Sequence, residues 1–325
     1  MGNKRKAYFF LKLLLSAFLV AWIVNKVNLD ETIDLLFSVK LHFLLIGIFW
    51  LLLDRVLMSY RWDILLTAKQ IKIPFSQIIK IYFLGTFSGN FLPSSIAPDA
   101  VRAYFASKYN SKISDILSSV LVDRVIGLFS LSIIALFSLL FIFFDKGEIN
   151  LKSLWVILAI FFLITFLIFS ERVLKKIPFR KLNRFLPVSN GGVVWKSLEK
   201  FYISCNEYKN NNRAIMRALF VSFVIQVLSI LVVYVLSCSI SLKISLIYFF
   251  IFVPLINLLI MLPVSIGGIG VQEGAFVYFF SRVGVSTHEA LTVALLFRAI
   301  MVAVSLPGGV FYIIEDNPKK VLSSK

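Results

Sequence analysis

LPVSIGGIGVQEGAF, residues 262–276, puts a proline, a glycine cluster and a glutamate between two strongly apolar stretches. A helix in lipid satisfies its own backbone, so a break there leaves amide and carbonyl groups that only protein or water can satisfy. Pro263 stops the preceding helix, and Gly267, Gly268 and Gly270 permit tight turning and close backbone approach. The stretch therefore predicts a discontinuous helix that lines a polar interior.

The rest of the chain supports a membrane setting. Of 325 residues, 59% are hydrophobic, and the mean hydropathy is +0.90, far above a soluble domain. Apolar runs at 8–24, 41–53, 78–92, 125–144, 154–169, 218–238, 246–262 and 290–314 are long enough, alone or with their flanks, to enter a bilayer. We expect an all-α polytopic membrane protein forming a single integral membrane domain over 1–325. The formal net charge of +17 lies in the connections between runs, which is positive-inside sorting rather than a nucleic-acid face.

Lys4, Arg5 and Lys6 place the N-terminus in the cytoplasm, and the first run reads as a retained helix. Helix 41–60 returns, with Arg61 and Asp63 as interfacial anchors. A second broken segment follows: Pro93 and Pro98 interrupt IIKIYFLGTFSGNFLPSSIAPDAVRAYFASK. A hairpin that enters and leaves by the cytoplasmic face keeps Arg102, Lys108 and Lys112 inside. Helix 116–144 exits and helix 154–170 returns. The connection 171–214 carries ten Lys/Arg against three Glu. Within it, Trp195, Leu198, Phe201 and Tyr202 mark an interfacial helix, read either as a membrane-surface brace or as a contact for a cytoplasmic partner. Helix 217–240 exits, and Lys319, Lys320 and Lys325 place the C-terminus inside.

The two broken segments resemble each other. At an offset of 170, LPSSIAPDAVRAY (92–104) matches LPVSIGGIGVQEG (262–274) at five of thirteen positions, including Pro93/Pro263 and Ser95/Ser265. After a four-residue insertion, Leu117 falls on Leu291 and Arg124 on Arg298. Repeat one spans 1–145, and repeat two spans 153–316 with the basic insertion at 171–214. The intervening span count makes them two inverted-topology repeats, each with transmembrane helices and a broken re-entrant hairpin. Such repeats place a transporter's site near the midplane.

Helix N-termini near Asp99 and Gly270 would aim positive dipole ends inward, which suits an anion; close packing by small residues is the alternative. Asp123 and Arg124 lie about 10 Å into their helix, and Arg298 takes the equivalent place in the other half. Charges at such depth pair or line a polar cavity. Arg298 with Glu273 and Arg124 with Asp99 are the expected pairs, and Asp54 and Arg55 are deep enough to join them. A coupling proton would sit on Glu273 or Asp99.

Several chemistries lack their parts. Gly267–Gly270 follows no strand and no P-loop lysine accompanies it, so nucleotide binding is not expected. The two histidines, His42 and His288, and the two cysteines, Cys205 and Cys238, have no metal or disulfide spacing. No nucleophile–histidine set is present, so no catalytic residues, cofactor or metal are assigned. Asp99 and Glu273 could be assembled as a carboxylate pair for glycosyl chemistry, an unfavoured alternative.

Through LPSSIAPDAVRAYFASK followed by VLVDRVIGL, and LPVSIGGIGVQEGAF followed by the Arg298 helix, the chain resembles the flippase-like integral membrane family that includes the transmembrane region of lysylphosphatidylglycerol synthases. Ala97 and Pro98 stand where that family often has glycines. The resemblance implies lipid translocation or handling of lipid-linked substrates, with Asp99, Arg102, Asp123, Arg124, Glu273 and Arg298 as the motif positions. The synthases' soluble aminoacyl-transferring domain is not among these residues, so lysyl transfer by this chain alone is not expected.

The leading expectation is a translocase for an anionic phospholipid or lipid-linked headgroup, in a prokaryotic cytoplasmic membrane. Its substrate would meet Asp99, Arg102, Asp123, Arg124, Glu273, Arg298, Ser95 and Ser265. The alternatives are a non-transporting scaffold for a glycosyltransferase or lipid-modifying synthase, docked through 171–214, and an integral-membrane transferase.

Overall fold

The computed structural model describes residues 14, 17–18, 21–23, 27–91, 97–109, 112–146, 207–208, 211–261, 265 and 267–315. Pro93, Ser95, Pro263, helix 154–170 and nearly all of the basic connection lie outside them. Every regular element among the described residues is helical. These helices are α1 (Leu29–Phe37), α2 (Leu41–Ala68), α3 (Phe75–Phe91), α4 (Ala97–Ser107), α5 (Ile113–Lys146), α6 (Asn212–Ser239), α7 (Leu246–Met261), α8 (Val271–Ser281) and α9 (Thr287–Glu315).

Four stretches, Leu41–Ala68, Ile113–Ser138, Asn212–Ser239 and Thr287–Ile313, are long and apolar enough to cross a bilayer. Helix starts follow local chemistry. Asn211 caps α6 by accepting from the Ala214 amide, and Asn28 caps α1 by accepting from Asp30 and Glu31, with those acids in the first turn.

The element lengths repeat. α2 and α6 each have 28 residues, α3 and α7 have 17 and 16, and α4 and α8 have 11 each. The packing repeats with them: α3 lies against α9 as α7 lies against α5, and α4 against α5 as α8 against α9. The two 28-residue helices pack on each other in opposite directions. The Lys40 amide donates to Ser239 O, Gly47 faces Leu236, Arg61 donates to Ser222, and Tyr208, just before α6, donates to Leu65 O.

Each short pair forms an antiparallel helical hairpin. In the first, Gly89 meets Pro98 and Gly85 meets Pro98 and Arg102. In the second, Gly268 meets Ile260, while Phe252 stacks on Phe279 at 5.6 Å and Phe249 meets Phe280 at 5.1 Å. The main apolar core is built largely from α6 to α9. A smaller one gathers Trp62, Ile78, Ile81 and Ile116 around the first hairpin.

One expectation is corrected here. The second span does not end near residue 60 with Arg61 at the interface. It runs on to Ala68, and Arg61 is 4% exposed, because Asp123 and Ser222 supply polar partners inside the bundle.

The α3–α9 seam depends on small residues. A Cβ added at Gly308 would come within 2.2 Å of the Phe83 carbonyl oxygen, whereas one at Gly274 meets only Ile23 at 3.7 Å. Gly308→Ala is expected to cost about 1–3 kcal/mol and to lower the melting temperature in detergent by several degrees, with Gly274→Ala close to wild type. Equal melting of the two variants contradicts this seam.

Candidate functional site

The hairpin breaks face a shared cavity of about 430 Å³. Gly89, Asn90, Pro98, Asp99 and Arg102 of the first segment line it, as do Ser265, Gly267, Gly268 and Gln272 of the second. Side chains of α2, α5, α6, α7 and α9 complete the wall, among them Asp54, Arg55, Asp123, Arg124, Gln226, Asn257 and Arg298.

The second break is held by its glycines and by Arg298. Gly267, Gly268 and Gly270 adopt φ of 58°, 74° and 80°, the left-handed region that glycine enters without steric cost. Glu273 accepts from the Gly270 amide at 2.8 Å with one oxygen and pairs with Arg298 through the other. Arg298 also donates to the carbonyls of Gly268 at 3.1 Å and Gly267 at 3.3 Å. One side chain thus ties the carboxylate to two carbonyls of the turn, of which Gly268 O also accepts from the Gln272 amide at 3.0 Å.

At the first break, Arg124 Nη1 donates to Asp99 Oδ2 at 2.7 Å and Arg102 Nη2 to Asp99 Oδ1 at 2.7 Å. Arg102 Nη1 continues to Asp123 Oδ2 at 3.1 Å, and Arg61 Nε reaches Asp123 Oδ1 at 2.7 Å. An alternating chain Arg124–Asp99–Arg102–Asp123–Arg61 therefore spans α5, α4 and α2. Beyond it, Arg61 donates to Ser222, which shares a 2.7 Å hydrogen bond with Ser130. Arg102 lies over the Tyr82 ring at 4.5 Å and the Trp62 ring at 5.1 Å. Aromatic faces offset part of the cost of burying its charge.

Both expected pairs, Arg124–Asp99 and Arg298–Glu273, are present, and each joins residues 25 apart in sequence. Residue for residue, at an offset of 174, the halves then diverge. Arg102 and Asp123 correspond to Phe276 and Phe297, whose rings lie 6.3 Å apart. The first half makes an ionic contact where the second makes an aromatic one.

Asp99, Arg102, Asp123, Arg124, Arg298 and Ser265 all line the cavity, as do Pro98, Gly267 and Gly268. Glu273 and Gly270 are not among the lining residues; they hold the turn. Arg61, expected as an interfacial anchor, lines it too, as do Tyr82, Asn90, Gln226, Asn257 and Gln272, which were not picked out from the sequence. Gln226 and Asn257 stand alone in the apolar runs VIQVL and LINLL, which is the signal that marks an interior-facing position.

Five lining arginines face three lining aspartates; with Glu273 beside Arg298 the cluster keeps one net positive charge. Such a wall attracts an anion and lets it exchange places with carboxylate partners. No group of three or more His, Cys, Asp or Glu among the described residues is arranged to hold a metal.

Asp123 bridges two arginines while 1% exposed. Its conversion to Asn leaves Arg61 without its carboxylate partner and Arg102 with Asp99 alone, and is expected to destabilise the protein by about 3–5 kcal/mol. Thermal unfolding in detergent measures this, and a variant melting with the wild type contradicts the ionic chain's structural role.

Comparison with known proteins agrees with the motifs. The sequence profile described as the lysylphosphatidylglycerol synthase TM region matches residues 9–309. A UPF0104 membrane protein of Methanothermobacter thermautotrophicus is 23% identical over 284 residues, covering 83% of this chain and 81% of that one. With broken helices, buried ion pairs and family match in accord, this chain is an integral membrane protein belonging to the lysylphosphatidylglycerol synthase TM region family.

Proposed function

We propose that this protein is a membrane lipid translocase that passes an anionic phospholipid or lipid-linked headgroup through the arginine-lined cavity while the tails stay in the bilayer. The observation that carries this reading is the joint lining of one cavity by both helix breaks. Its size falls within the usual range for small-molecule sites, about 300–1,000 Å³.

Two features support an inverted-repeat mechanism. The equivalent helices α2 and α6 run antiparallel, as inverted halves require, and the packing partners exchange between halves. α4 and α8, at 11 residues each, reach about 16 Å along their axes, short of the roughly 30 Å hydrocarbon core. A hairpin ending in such a helix fits re-entry better than crossing. Rocking of one half against the other would then alternate access to a fixed midplane site.

In this account Arg124 and Arg298, one from each half, hold the phosphate. Ser265 and the backbone of Gly267 and Gly268 approach it from the second hairpin. The basic connection and both termini face the cytoplasm of a prokaryotic cell, in line with positive-inside charge.

Purified protein in liposomes containing a fluorescent phosphatidylglycerol tests the proposal. The wild type is expected to move that lipid faster than protein-free vesicles, with headgroup dependence. Arg124→Ala and Arg298→Ala should each lose at least about tenfold in rate, as charge-assisted contacts are worth roughly 1.5–3 kcal/mol. Lys243→Ala, on an exposed loop, should match the wild type. Movement equal for anionic and zwitterionic lipids, or undiminished in both arginine variants, overturns the assignment.

A further inference from the structure

Asp54 differs from every other carboxylate in the cavity wall. It sits within α2 and is 2% exposed. Its Oδ1 accepts no hydrogen bond, and the neighbouring Arg55 Nε donates none. Its Oδ2 lies 3.8 Å from Arg55 Nη1, beyond hydrogen-bond length. By contrast, Asp99 and Asp123 each receive two arginine hydrogen bonds. Glu273 is held by Arg298 and the Gly270 amide. Protonating Asp99 would weaken two arginine pairs, and protonating Glu273 would weaken its arginine pair and its hold on the Gly270 amide, which argues against either as a proton carrier.

We infer that Asp54 is the proton-coupling residue of the cavity, taking a proton on Oδ1 when an anionic headgroup binds and releasing it when the headgroup leaves. The inference rests on the translocase reading. A proton needs one acceptor atom, whereas a metal cation needs several ligands, and no group of three or more His, Cys, Asp or Glu among the described residues is arranged to hold one.

Charge arithmetic gives the direction. The charged groups that share the cavity wall with Asp54 are Arg55 and Arg61 on its own helix, Asp99 and Arg102 on α4, Asp123 and Arg124 on α5, and Arg298 on α9, with the neutral Tyr82 on α3. Gln226 of α6 and Asn257 of α7 add no charge. With Asp54 ionised and Glu273 included, the cluster is +1; with Asp54 neutral it is +2. Protonation therefore favours the anion, and by reciprocity the anion favours protonation. A unit change of charge at this range alters affinity on the order of tenfold. The proton and the headgroup move in the same direction.

Short-chain phosphatidylglycerol added to purified protein in weakly buffered detergent tests this, since its phosphodiester does not titrate between about pH 5 and about pH 8. The wild type should take up protons on binding, read with an indicator dye, and its affinity should fall as pH rises. Asp54→Asn should bind at the tight, low-pH limit, without proton uptake and without pH dependence. Binding by the wild type with no proton uptake, or uptake that persists in Asp54→Asn, overturns the inference and leaves the translocase reading standing. Absence of any phosphatidylglycerol binding by the wild type sinks both. Should Asp54→Asn fail to fold, Asp54→Glu decides: an uptake curve displaced along the pH axis supports residue 54 as the carrier, and one superimposed on the wild type rejects it.

Discussion

Arg298 bonds to three groups at once, the Glu273 carboxylate and the carbonyls of Gly267 and Gly268. Each carbonyl faces the same constraint: backbone that leaves a helix inside an apolar bundle must find a polar partner or cost several kcal/mol. A side chain with five donors in a planar fork serves several acceptors together, which lysine's point charge does not. The glycines take the left-handed turn, and the arginine together with the Gln272 amide serves the carbonyls the turn exposes. Arg124 and Asp99 occupy the corresponding places in the other half, joined across the same 25-residue spacing. From these two ties follow the positions of α4 and α8, and from those the cavity between them.

The halves share a frame but divide the work. Where the first half buries Arg102 on Asp123, the second buries Phe276 beside Phe297. Replacing an ion pair by packed apolar side chains often stabilises a protein, and the second half's phenylalanines join one continuous core. The first half keeps the costlier ionic chain at the cavity wall. In the proposed translocase, a charged network with partners to exchange suits the surface that takes the anionic headgroup.

Much of this was legible in the sequence because broken membrane helices need proline and glycine, and buried charges need partners. Pro98, the glycine cluster and the deep arginines marked both hairpins, and the Arg124–Asp99 and Arg298–Glu273 pairs followed from their matching places. Arg61 was misread because SYRWD resembles a helix end meeting the interface. Only the fold brings Asp123 and Ser222 to it. Glu273, conspicuous in its motif, holds the turn and not the cavity wall. Asp54 could be placed at depth from sequence, but that its Oδ1 accepts no bond is a property of neighbouring helices.

The central claim is that one headgroup site lies between the two hairpins, inside the bundle. Photo-crosslinking tests it directly: a phosphatidylglycerol with a photoreactive group on its headgroup is incorporated into vesicles with the protein, and labelled residues are mapped by mass spectrometry. Labelling centred on cavity residues such as Gln226, Asn257 and Met301, competed by unlabelled phosphatidylglycerol, is the predicted result. Labelling confined to exposed apolar positions such as Phe137, Phe220 and Ile313 would contradict the account.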